Sequence, residues 1–116
     1  ATLVPNLEPV RLATDASVNL GVVLTEWVVN AFKYAYPNGS GEVRVRLRQF
    51  GEGRGELVVE DSGVGRNGGV AKGTGLGSRL VTAMAKSMNA EVSYDELKPG
   101  TRARLIFPLS SEQPPV

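Results

Sequence analysis

The stretch Leu24-Thr25-Glu26-Trp27-Val28-Val29-Asn30-Ala31-Phe32-Lys33-Tyr34-Ala35 carries two superimposed patterns. Leu20, Val23, Leu24, Trp27, Ala31, Tyr34 and Ala35 recur at helical spacing, which predicts a helix over about residues 16–36 with one buried stripe. Beside that stripe, Glu26, Asn30 and Lys33 are spaced four and three apart and so share a second face. A carboxylate, an amide oxygen and an ammonium on a rigid helix suit a magnesium-bound polyphosphate. Mg²⁺ takes oxygen ligands and keeps several waters and substrate phosphates. Taken alone, the stripe reads more simply as the solvated face that most surface helices have. Its weight comes from what lies on either side.

Upstream, residues 7–13 read as an opening strand with Pro9 early in it, and Thr14 or Asp15 is placed to cap the helix. Downstream, Pro37-Asn38-Gly39-Ser40-Gly41 ends the helix with strong turn chemistry. Residues 42–50 alternate, with Val43, Val45 and Leu47 on one side and Arg44, Arg46 and Arg48 on the other, as a strand requires. Residues 51–55 form a hairpin loop and 56–60 the returning strand, where adjacent Val58 and Val59 indicate that both faces are covered. The arginine stripe reads as a solvated strand face paired with glutamates of the neighbouring strand.

Residues 62–77 contain seven glycines and little apolar content, the composition of a loop without a core. Residues 76–88 form a second amphipathic helix, with Leu76, Leu80, Val81, Met84 and Met88 facing inward. Strands at 91–94 and 101–107 follow, joined through a turn at 98–100. Residues 110–116 are polar and proline-rich, a tail after one domain over residues 1–109. The order strand, long helix, hairpin, glycine loop, helix, hairpin predicts an α+β fold. It is a two-layer sandwich of a mixed, mostly antiparallel sheet with helices on one face.

Composition narrows the chemistry. The 116 residues include no cysteine and no histidine, which excludes disulfides, thiolate metal sites, cysteine nucleophiles and a histidine base. The net charge of +1 gives no case for nucleic acid as partner or for direct membrane contact. No apolar run approaches the roughly 20 residues of a membrane helix. No signal peptide is recognisable, and the cytoplasm is the expected location.

Two further strings carry chemistry. In Asp61-Ser62-Gly63-Val64-Gly65, a carboxylate at a strand end can accept from an exocyclic amine while glycines let backbone approach a flat ring. Tight turns favour the same residue types. In Gly73-Thr74-Gly75-Leu76-Gly77, glycines precede a helix whose free N–H groups and dipole favour anions. Residues 63–68 also satisfy the dinucleotide-binding glycine string, but more glycine follows where a helix should begin. Extended to Val70 they satisfy the protein-kinase glycine loop, whose partner motifs need a histidine.

The ordered set Glu26-x-x-x-Asn30, Asp61-x-Gly63-x-Gly65, Gly73-x-Gly75-x-Gly77 and Pro99-Gly100-Thr101 resembles the Bergerat-fold ATPases. These comprise histidine kinases, type II topoisomerases, mismatch-repair ATPases and chaperone ATPases. Each motif is weak alone; the set of four, spanning residues 15–108, is specific. The wording of residues 24–35 looks like the N-box of sensor histidine kinases, closest to the second histidine-kinase class related to the HWE kinases.

That resemblance implies roles. Asn30 would ligate Mg²⁺, Glu26 would polarise the attacking group or a metal-bound water, and these two are the catalytic candidates. Lys33 would contact phosphate and Tyr34 would border the nucleotide. Asp61 would accept from the adenine amino group, with Thr101 supporting it through water. Gly63 and Gly65 would pass close to the base. Gly73, Thr74, Gly75, Leu76 and Gly77 would form an ATP-binding segment in which Gly75 and Gly77 offer backbone N–H groups to the phosphates and Gly73 is the lid hinge. The implied cofactors are ATP and Mg²⁺. The implied partners are a histidine-bearing dimerisation domain of the same protein and a downstream response regulator, in a phosphorelay.

The lid at residues 66–72 is short for this family and lacks a clear phenylalanine. Two alternatives stay open. An anti-sigma-factor serine kinase of the same fold would share Asn30, Ala31, Ala35 and Tyr36. A degenerate docking module would fit the short lid but not the intact motifs.

Overall fold

The computed structural model describes residues 2–36, 40–63, 76–97 and 99–109. In order they form β1 (Thr2–Leu7), α1 (Thr14–Asn30) running into a π-helical turn (Ala31–Ala35), β2 (Glu42–Gln49) and β3 (Arg54–Asp61). Then come α2 (Leu76–Met88), β4 (Glu91–Glu96) and β5 (Thr101–Pro108). The strands make one sheet in the order β1-β2-β3-β5-β4. β1 is parallel to β2, and the other pairs are antiparallel. This is the mixed, mostly antiparallel sheet of the expected α+β sandwich.

Strand alternation builds the core. Val43 and Val45 of β2, Leu57 and Val59 of β3, and Ala103, Leu105 and Phe107 of β5 pack with Leu20, Val23 and Trp27 of α1. Val81, Ala85 and Met88 of α2 complete the cluster. Phe107 lies over Gly55, where any Cβ would collide with its ring, so glycine makes room for the largest fully buried side chain.

Three expectations need correction. The opening strand lies at Thr2–Leu7 and not at 7–13. Pro5 lies within that strand, opposite Val45, and has no N–H to donate. β1 is an edge strand with all six residues exposed, and edges tolerate proline. Neither Thr14 nor Asp15 caps α1. The N-cap is Ala13, at φ −63° and ψ 156°, without a side-chain hydrogen bond. Asp15 falls in the first turn, where its charge complements the helix dipole. Leu80 is 36% exposed and does not face inward. Among the described side chains of α2, which begin at Arg79 and leave out the expected inward residue Leu76, the buried ones are Val81, Ala85 and Met88, spaced four and three apart, and Leu80 lies about 100° round the helix from Val81.

The opposite face of the sheet is an ion-pair lattice. Glu56, 2% exposed, receives Arg48 at 2.6 Å and also Arg104, with Arg46 at 3.7 Å. Glu60 receives Arg102 at 2.7 Å and Arg44 at 3.4 Å. Burial alone would raise both carboxyls. Hydrogen bonds and charge from Arg48 and Arg104, and from Arg102 and Arg44, outweigh it and hold Glu56 and Glu60 below the usual carboxylate range. Phe50 sits under two guanidiniums, 5.8 Å from Arg48 and 5.0 Å from Arg104. Val58 is buried on this face as the sequence indicated. It is paired with Arg46 of β2 and Arg104 of β5, and arginine stems can cover apolar surface while their heads stay wet.

Candidate functional site

The register of β3 and β5 sets the floor of the site. Asp61 ends β3 opposite Thr101, which opens β5. Its carboxylate is 6% exposed and accepts from the backbone N–H of Gly63 at 3.0 Å and from that of Thr101. Burial raises the Asp61 carboxyl above its ordinary value, against the opposing pull of those two N–H groups and of Arg44. Two glycines make the close packing possible. A Cβ on Gly63 would strike the Ala35 carbonyl, and one on Gly100, which has φ 113°, would strike the backbone of Asp61.

A cleft of about 80 Å³ opens above this carboxylate. Val59, Asp61, Thr101 and Ala103 supply its sheet side, and Tyr94 of β4 closes one end. The helix side is Trp27 and Asn30 of α1 with Ala31, Tyr34 and Ala35 of the π-helical turn. The helix therefore widens where it borders the cleft, and π turns are frequent at functional sites. Trp27 Nε1 donates to the Tyr94 hydroxyl at 3.3 Å, and the rings meet edge to face with centroids 6.0 Å apart. The cavity is apolar and aromatic-walled, with one buried carboxylate at its base and the exposed Asn30 amide beside it. Such a shape accepts a flat heteroaromatic ring carrying an amino group.

The candidate residues divide by position. Asn30, Tyr34, Asp61 and Thr101 are brought together around the cleft. Gly63 adjoins it through its bond to Asp61. Glu26, half-buried, and Lys33, exposed, stand on the helix outside the cleft lining. Leu76 and Gly77 are the first residues of α2. Gly65, Gly73, Thr74, Gly75 and the lid at 66–72 lie outside the described residues. The sequence reading assigned Trp27 to the core and passed over Tyr94. Alternation along β4 holds the missing signal, since Tyr94 pairs with Ala103 and shares its helix-facing side. No helix among the described residues is long and apolar enough to cross a membrane.

Comparison with known proteins agrees with this geometry. The family model of histidine kinase-, DNA gyrase B- and HSP90-like ATPases matches residues 15–111. No curated protein matches the chain. Among solved structures, the histidine kinase domain of a blue-light activated histidine kinase from Erythrobacter litoralis superposes with a TM-score of 0.80 at 25% identity. That match covers 94% of this chain and 52% of the other, so the chain spans about half the length of that structure. A mycobacterial sensor histidine kinase, MprB, superposes at 0.77 with 24% identity, covering 93% of this chain and 81% of the other. Full-length ShkA in complex with AMPPNP superposes at 0.76 with 21% identity, covering 99% and 27%. The chain belongs to the histidine kinase-, DNA gyrase B- and HSP90-like ATPase family, and its fold is the one these histidine kinase structures share.

Proposed function

We propose that this domain serves a sensor histidine kinase, binding Mg-ATP and delivering the γ-phosphate to a histidine on a separate dimerisation domain. The observation that carries the reading is the buried Asp61 carboxylate at the base of an aromatic-walled cleft, with Asn30 beside it. Adenine would enter between Tyr34, Trp27 and Tyr94 and donate its amino group to Asp61. The triphosphate would leave toward Asn30 and the start of α2, since the N-terminal end of a helix favours anions.

Among the described residues, no group of three acidic, histidine or cysteine side chains could hold a metal alone. The donor set suits a cation held mostly by phosphate and water, with the Asn30 amide oxygen as the protein ligand. When bound, Mg²⁺ would neutralise phosphate charge. Glu26, one turn before Asn30, is the group to orient and polarise the incoming nucleophile, and Lys33 is the cation for phosphate. Phosphoryl transfer asks mainly for positioning and charge neutralisation, which this set supplies. With no histidine in the sequence, the acceptor must come from another domain. That domain and a response regulator are the proposed partners, with the cytoplasm as the location.

Calorimetric titration with Mg-ATP, a non-hydrolysable analogue and Mg-GTP tests the reading. Saturable, magnesium-dependent binding that prefers adenine is expected. Absence of binding at millimolar nucleotide would overturn it in favour of a docking module.

A further inference from the structure

The turn that presents Asp61 is held from behind by a tyrosine to which the roles above give no part. Tyr36 follows the π-helical turn and packs half-buried against the core. Its hydroxyl donates to the Glu42 carbonyl oxygen at 2.6 Å and accepts from the Ser62 backbone N–H at 2.8 Å. One oxygen atom thus joins the end of the first helix, the start of β2 and the turn after β3. The ring occupies space that Gly41 leaves open, since a Cβ on Gly41 would strike it. One residue earlier, the Ala35 carbonyl presses on Gly63, so the turn touches the helix end at two successive positions.

Ser62 lies between the two residues whose relative orientation matters. The Gly63 N–H donates to the Asp61 carboxylate, and the tyrosine hydroxyl receives the N–H immediately before it. Fixing the Ser62 amide limits rotation of the turn and with it the direction of the carboxylate. A site built to hydrogen-bond one substrate group rejects analogues lacking it only while its own polar groups are held in place. Loosening the turn therefore affects discrimination more than general attraction for triphosphate.

We propose that Tyr36 is a positioning residue for base recognition: its hydroxyl ties the Ser62 amide to the Glu42 carbonyl, aims Asp61 at the 6-amino group and so sets the preference for adenine. The proposal rests on the adenine-binding reading of the cleft. Tyr36→Phe isolates the hydroxyl, because the ring that fills the space over Gly41 is retained. Ser62 is exposed, so water can satisfy its freed N–H and the fold is kept.

The test compares parent and Y36F by affinity for Mg-ATP and for Mg-ITP, in which a carbonyl replaces the amino group. Melting temperature and amide exchange at Ser62 and Gly63, without nucleotide, complete it. Exchange at Ser62 is expected to rise about tenfold in Y36F, and ATP affinity to fall about three- to tenfold while ITP affinity changes little. The ATP-to-ITP ratio should contract with the melting temperature nearly unmoved. A parental ratio in Y36F, with or without a lower melting temperature, overturns the positioning role. A parent without preference for ATP over ITP refutes the reading of the cleft and takes the proposal with it. A parent that prefers ATP beside a Y36F that prefers it equally sinks only Tyr36.

Discussion

At the scale of single residues, Asp61 and Asn30 have effects of opposite character. Folding raises the Asp61 carboxyl, so between its unfolded and folded values the native state binds more protons than the unfolded chain. The stability attributable to Asp61 therefore declines as pH rises through that window and is constant above it. Nucleotide binding runs the other way, because an ionised Asp61 is the better acceptor for an amino group. ATP affinity should weaken as pH falls through the raised Asp61 value. Asp61→Asn should lose that component of the pH profile, together with about tenfold or more of ATP affinity and most of the preference over GTP. Equal parental affinity for ATP and GTP would count against the assignment. Asn30→Ala removes an exposed amide, so folding should be unchanged within about 0.5 kcal/mol while magnesium-dependent nucleotide binding disappears. Binding retained in that variant would remove Asn30 from the metal site.

At the scale of elements, the sheet's polar face is the part most open to perturbation. Glu56 serves several guanidiniums at once, and Glu56→Gln leaves them facing one another over a neutral amide. Losing one partner of a buried pair costs roughly 3–5 kcal/mol. Arg46 and Arg48 have side chains about 42% exposed, which screens their charge, so about 2 kcal/mol is expected by urea denaturation. Because Glu56 and Glu60 are both lowered by folding, their contribution is complete above the unfolded carboxylate value. It is lost as pH falls toward their folded values, and a melting series from pH 7 to pH 3 should show that decline. The elements were also the most legible level in the sequence. The 3.6-residue and two-residue periods placed both helices and β2 to β5 within a few residues. What misled was local chemistry that tertiary context overrode. The opening strand expected at 7–13 lies at Thr2–Leu7, and Thr14 and Asp15 advertised a cap that the chain makes without a side chain. Reading the spacing there with the α-helical period does not anticipate the widening of the helix at Ala31–Ala35.

At the scale of the molecule, the site draws on α1, the π-helical turn, β3, β4 and β5, far apart in sequence and adjacent only after folding. Asn30, Tyr34, Asp61 and Thr101, residues to which the family resemblance gives roles, line one cleft. Tyr94 and Tyr36 receive no such role, and their places follow from strand order, register and the turn after β3. The whole-molecule consequence concerns the acceptor. Incubated alone with γ-labelled Mg-ATP, the chain should carry no acid-labile phosphate, having no histidine to hold it. If the proposed histidine-bearing dimerisation domain is the acceptor, adding it should move label onto that domain, and Glu26→Gln should slow the transfer more than it weakens nucleotide binding. Label appearing on this chain itself as acid-stable phosphoserine would instead favour a serine kinase of the same fold.

Trp27 is the sole tryptophan of the chain, nearly enclosed, edge-on to Tyr94 and facing the cleft. The domain thus contains its own optical probe at the place where a ligand would arrive. Its emission has no competing indole background, and any purine-like compound that enters should quench or shift it. Candidate inhibitors could be ranked on unlabelled protein in a plate reader, with occupancy read directly and no coupled assay.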